Sequence, residues 1–214
     1  MAKPKNIKYY PPKEERINIL THGIGLGLSI LATIALVFKA LEFKALSEAF
    51  SFIVFGASLI LLYAASTFYH AAKTDKKRHR LNVLDHASIY VLIAGTYTPY
   101  SVVSLPNDVG LIILTVIWVV AITGVILKLF YAGRYQVFST IMYVLMGCIM
   151  FFAVKPLGEN LSAEGVNLLF LGGVSYIVGA VIFSINKLKY NHAIFHFFVL
   201  GGSISHFCSI YFYV

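Results

Sequence analysis

Charge is scarce in this sequence. Of its 214 residues, 12% are Asp, Glu, Lys or Arg, about half the share of a typical soluble domain. That shortage excludes an ordinary cytosolic enzyme and a disordered chain. Cysteine is scarcer still: Cys148 and Cys208 are the only two, which excludes a disulfide-framed secreted scaffold. Both lie in apolar runs and say nothing of redox compartment. Acidic residues are also few, 9 against 17 Lys and Arg, leaving a net charge of +8. Such a basic excess suits nucleic acid or a membrane surface. What is abundant decides between them: 59% of residues are hydrophobic and the mean hydropathy is +0.81. The sequence reads as an integral membrane protein.

A helix needs about 20 mostly apolar residues to cross the hydrocarbon layer. Seven runs qualify, at 17–38, 48–72, 83–104, 109–130, 136–154, 165–185 and 192–213. The fifth is short and is expected to stop at Lys155-Pro156. All are too continuous for barrel strands, which alternate over about 10 residues. Residues 3–16 are too polar for a cleavable signal peptide and lead into a full span. No internal repeat stands out. The expected fold is therefore all-α: a seven-transmembrane helix bundle over 17–214 behind a basic tail at 1–16.

Lysine and arginine orient it. Lys3, Lys5, Lys8, Lys13 and Arg16 lie in the tail, and Lys73, Lys76, Lys77, Arg78 and Arg80 in the second loop. Lys128, Arg134, Lys187 and Lys189 follow on the same side, against Lys39, Lys44 and Lys155 on the other. The N-terminus is expected in the cytoplasm and the C-terminus outside, in a multi-pass cell-membrane protein. Basic loops facing anionic headgroups account for the charge. The expected partners are membrane lipids, not nucleic acid.

Ionisable residues inside spans are costly and mark functional sites. With this orientation Asn18, His22, Ser66, His70, Asp85, His86, His192 and His196 share one depth, near the cytoplasmic face. His192 and His196, at i and i+4, project from one helix face, and Ser66 and His70 have the same spacing. Catalytic zinc takes three protein ligands and keeps a position open for water. His70, His192 and His196 supply three imidazoles, with Asp85 able to orient the water or a ligand's second N–H. Zinc lowers the pKa of its water to about 7, which arms it against an amide or ester carbonyl. Three imidazoles also suit other late transition metals. The plainer alternatives are a hydrogen-bonded histidine pair, a headgroup-facing His70, and an Asp85 that caps its helix.

The remaining polar and special residues have simpler expected roles. His22 and Asn18 line the pocket or sit behind the ligands. His86 is rotated about 100° from Asp85 on a helix and is not expected to face the same centre. His206 lies about 21 Å along the last helix from His192, where an interhelical hydrogen bond is expected. His79 reads as a solvated loop residue and Cys208 as packing. Gly23, Gly25, Gly27, Gly172 and Gly173 read as close-approach points between helices, and Pro99 as a kink.

Several motifs together resemble the hemolysin III branch of the progestin and adipoQ receptor superfamily, which is related to alkaline ceramidases. They are Glu15-x-x-Asn18-x-x-x-His22-Gly23, Ser66-x-x-x-His70 and Leu84-Asp85-His86-x-Ser88-Ile89-Tyr90. The stretches 94–99 (Ala-Gly-Thr-Tyr-Thr-Pro) and 191–196 (Asn-His-Ala-Ile-Phe-His) complete the set. The resemblance implies a seven-helix bundle with zinc on His70, His192 and His196 and a water held by Asp85. It also implies a choice of activities. One is hydrolysis of a lipid amide or ester, with Asp85 as general base and Ser66 donating to the oxyanion. Another is a pore-forming or haemolytic action; a third is a non-catalytic regulator of membrane state with structural zinc. The short tail argues against a hormone-binding domain.

Overall fold

The computed structural model describes residues 8–131 and 136–214. Lys3 and Lys5 of the tail and Arg134 of the fourth loop, used above for orientation, lie outside the described residues. Among the described residues the structure is helical, with no strand. The long helices are α1 (Pro12–Ala40), α2 (Leu46–Ala71), α3 (Asp75–Pro99) and α4 (Asn107–Tyr131). They are followed by α5 (Gln136–Cys148), α6 (Val154–Asn160), α7 (Ala163–Ser184) and α8 (Asn191–Tyr213).

Local chemistry sets several of these boundaries. Pro12 opens α1, where a first-turn residue has no intrahelical partner for an N–H. Ser162 caps α7, its Oγ accepting from the Gly165 N–H at 3.3 Å. Pro99 ends regular α3, as expected of a residue that cannot donate to the ladder. The chain does not stop there but widens into a π-helical turn, Tyr100–Ser104.

The fifth run behaves differently from its expectation. Helix α5 tightens into a 3₁₀ turn at Ile149–Ala153, and α6 then carries the chain through Pro156 to Asn160. Because α6 restarts at Val154, Pro156 falls in a first turn, where proline is tolerated. Tyr97 of α3 services the change of pitch. Its hydroxyl proton is shared by the Met146 and Gly147 carbonyls (2.9 and 2.8 Å), and its oxygen accepts from the Met150 N–H at 2.9 Å.

Six stretches are long and apolar enough to cross a membrane: α1, α2, α4, Val137–Asn160, α7 and α8. Helix α3 is equally long but opens on Asp75, Lys76, Lys77, Arg78, His79 and Arg80, and falls short by composition. Large apolar side chains cover the outside, among them Leu31, Phe38, Leu111, Phe130, Phe152 and Phe212. Phe52, Phe55, Tyr63, Tyr100, Ile117 and Ile210 fill the inside. Buried hydroxyls bond their own helix, as Ser58 to Phe55 O (2.7 Å) and Thr96 to Leu92 O (2.8 Å) do. Others pin helices together: Tyr100 donates to Ser209 Oγ and Ser209 to Gly165 O, each at 2.7 Å. Helices α1 and α8 touch, so the first and last of the described helices adjoin.

Candidate metal centre

Two helix ends meet at one point. The last turn of α2 carries His70, and the first two turns of α8 carry His192 and His196. All three are buried. His192 Nε2 lies 3.0 Å from His70 Nε2 and 3.1 Å from His196 Nε2. One nitrogen from each ring lies within 4.8 Å of the other two.

The surroundings fix where the protons are. His70 Nδ1 is 2.7 Å from Glu15 Oε2, so it donates and leaves a lone pair on Nε2. Thr21 Oγ1 directs its own proton to the Ile17 and Asn18 carbonyls (2.9 and 3.1 Å). It therefore accepts from His196 Nδ1 at 3.2 Å, which puts a second lone pair on His196 Nε2. Both lone pairs face His192 Nε2, which can donate to only one of them. In these tautomers one of the two lone pairs is left without a donor, whereas a cation among the three rings takes a lone pair from each. The carboxylate–histidine pair is a common support for metal ligands, and the donor set suits a late transition metal.

Behind His70 stands a connected shell. Glu15 Oε1 pairs with Arg78 Nη2 and accepts the Tyr10 N–H at 3.1 Å. Arg78 is 1% exposed. It donates through Nη1 to the Tyr69 and His70 carbonyls, both at 3.3 Å, and through Nε to Lys8 O at 2.9 Å. Its guanidinium also lies over the rings of Tyr9 and Tyr69, 4.3 and 4.6 Å from their centroids. Sequence reading had counted Arg78 as one more loop charge. Glu15 was visible only as the first residue of a motif, because nothing local links residues 15, 70 and 78.

A cavity of about 240 Å³ opens beside the histidines. Its walls are mostly apolar, with Leu62, Leu92, Ile93, Val144, Phe170 and Val199 among them. Ser66, Asp85, His192 and His196 line it too. Asp85 stands outside the three-histidine cluster. His86 also lines the cavity, and its Nδ1 lies 3.5 Å from Asp85 Oδ2. The cavity wraps far enough round α3 to take in adjacent residues. His86 Nδ1 donates to Asn82 O at 2.9 Å.

His22 stacks directly on His196, with centroids 3.4 Å apart and planes 12° from parallel. Asn18 is fully buried beside it. His206 makes the expected interhelical bond, Nε2 to Leu169 O at 3.0 Å. It also lines the cavity, so the cavity runs from the histidine cluster to a second buried histidine fourteen residues along α8.

Known proteins match the chain over nearly its whole length. The Haemolysin-III related family profile matches residues 10–207. Hemolysin-3 of Bacillus cereus is 46% identical over 202 residues, 94% of this chain and 92% of that protein. The Hemolysin-3 homolog of Bacillus subtilis (strain 168) is 43% identical over 201 residues, 94% of each chain. More distantly, the human Monocyte to macrophage differentiation factor is 27% identical over 221 residues, 99% of this chain and 89% of that protein. The segment matched takes in Tyr10, Glu15 and every histidine of the cluster, and the chain belongs to the haemolysin III-related family.

Proposed function

We propose that this is a seven-span cell-membrane protein that holds one zinc ion on His70, His192 and His196 and hydrolyses a lipid amide or ester. The observation that carries the metal is the pair of Nε2 lone pairs opposed across His192. The seventh span is α3 with its π turn, continuous to Ser104. The basic tail and second loop put the N-terminus and the metal centre on the cytoplasmic side.

Zinc, when bound, supplies Lewis-acid activation of water and of a carbonyl group. The chain's own residues do the rest. Glu15 and Thr21 hold the His70 and His196 rings so that their Nε2 lone pairs converge. Asp85, on the cavity wall, takes the proton from the attacking water. Ser66, one turn before His70, donates its O–H to the oxyanion that forms at the carbonyl. The apolar walls receive the hydrocarbon chain of the substrate and keep bulk water out.

The test uses detergent-purified full-length protein and its variants side by side. Elemental mass spectrometry is expected to give about one zinc per wild-type chain, and almost none for His70→Ala or His192→Ala/His196→Ala. On the same preparations, turnover of fluorescent ceramide-like amides is expected for wild type and lost in Asp85→Asn at unchanged zinc content. Wild type and Asp85→Asn equally inert across a broad lipid panel would sink the hydrolase reading. The name of the bacterial relatives favours a second reading, direct membrane lysis. That reading requires dose-dependent dye leakage from sealed vesicles that persists after metal removal.

A further inference from the structure

A metal-binding imidazole is aimed by whatever holds its second nitrogen. His70 has Glu15 for this and His196 has Thr21, at 2.7 and 3.2 Å. His192 has no such partner: its Nδ1 is buried without a hydrogen bond among the described residues. Its ring is held by its face instead. Tyr10 lies over it with centroids 4.6 Å apart and planes only 13° from parallel. Phe183 and Phe195 flank it at 5.2 and 5.9 Å. Those two belong to α7 and α8 and move only with the bundle. Tyr10 belongs to the chain ahead of α1.

We propose that Tyr10 is the positioning residue for His192, and that residues 8–11 form a strap whose docking sets how firmly the metal is held. This inference rests on the three-histidine metal reading. The strap is built to present one ring inward. Lys8 and Tyr9 are exposed while Tyr10 is half-buried. Pro11, at φ −52° and ψ 146°, precedes Pro12 at the head of α1, and two prolines in a row make a stiff junction. Lys8 Nζ lies 4.5 Å from the Tyr10 ring centroid, a cation–π contact that holds the ring in place.

The strap is fastened by the same groups that orient His70. Lys8 O accepts from Arg78 Nε at 2.9 Å and from the Tyr69 hydroxyl at 3.4 Å. The Tyr10 N–H donates to Glu15. Tyr9 donates to Asp75 Oδ1 at 2.7 Å and lays its ring against Arg78. Undocking the strap therefore removes the facial support of His192 and disturbs the carboxylate that aims His70. Two of the three imidazoles are coupled to a segment outside the bundle.

The experiment is zinc release from full-length protein in lipid nanodiscs, read as transfer to a chromophoric chelator in excess. Tyr10→Ala is expected to start with the same zinc content as wild type and release it at least about tenfold faster. That is within the roughly 10–100-fold cost of losing a group behind a metal ligand. Tyr10→Phe keeps the ring and is expected to release at the wild-type rate. Tyr9→Phe, which cuts only the Asp75 bond, is expected to fall between. Equal release from wild type and Tyr10→Ala, both holding about one zinc, overturns the strap and leaves the metal site standing. Fast release from Tyr10→Phe overturns the stacking role. Wild type that binds no zinc overturns the metal reading, and the strap's role with it.

Discussion

Arg78 carries a full charge with 1% of its surface exposed, and nothing in its neighbourhood of the sequence announces that. It is tolerable because every face is used: Glu15 takes one edge, three carbonyls take the others, and two tyrosine rings cover the plane. Two of those carbonyls end α2, where a cation also complements the helix dipole. Removing one partner of a buried ion pair is costly because the other charge is left unpaired, by about 3–5 kcal/mol. Arg78→Met is thus expected to lower thermal stability sharply in detergent. Arg78→Lys is expected to recover only part, since one ammonium cannot span a fork of contacts made by a guanidinium. Unfolding temperatures for both equal to wild type would show that the shell carries no load. At this scale His192 and His196 were legible as a pair, because i, i+4 spacing survives in one dimension, and the structure brings His70 to them. Glu15 and Tyr10 were not, since their partners lie 55 and more than 180 positions away.

Helices in a membrane have no hydrophobic drive to associate, so contact depends on how closely backbones can approach. The sequence offered five glycines for this, and the structure separates them. A Cβ on Gly25 would fall 2.4 Å from the Tyr63 ring, and one on Gly172 only 2.2 Å from His206 Cδ2. Gly27 and Gly173 have nothing within 4 Å, and Gly23 only an ordinary contact with Thr67. Glycine as a residue type was legible; which glycine faces a neighbour depends on rotation about the helix axis, which was not. The adjacent pair on α7 gives a clean comparison. Gly172→Ala is expected to destabilise by about 1–3 kcal/mol, the usual cost of overpacking, because His206 is tied to Leu169 O and cannot retreat freely. Gly173→Ala is expected to stay within about 0.5 kcal/mol of wild type. Thermal unfolding of the two variants in one detergent decides it, and equal losses would contradict the packing described. Pro99 teaches a related lesson. The break could be read from the residue, but not its outcome as a π turn, which lies close against α4, where a side chain at Gly110 would meet Ser101 O.

Across the whole molecule the signal in the sequence was composition, and it gave the helical class directly. Six of the seven expected runs match helices long and apolar enough to cross a membrane. The third was legible only as a run starting near residue 83, because α3 begins with a polar stretch eight residues earlier. Orientation is tested with single cysteines in a background where Cys148 and Cys208 are replaced by alanine. Lys76→Cys is expected to react with a membrane-impermeant maleimide only in inverted vesicles, and Asn160→Cys only in intact cells. The reverse pattern would turn the bundle over and place the histidine cluster at the outer face.

The cluster draws on residues far apart in the chain. His70 waits for His192 across 122 residues. At typical synthesis rates of about 5–20 residues per second, that interval lasts roughly 6–24 s. For that time α1 and α2 sit in the bilayer with Asn18 and His22 lacking their final neighbour on α8, His196. The donor set exists only once the last helix has been inserted and has closed against the first. On the metal reading proposed above, loading therefore follows insertion of α8, and truncations before α8 leave a polar seam open to lipid. Insertion of α8 is the step that completes both the bundle and its chemistry.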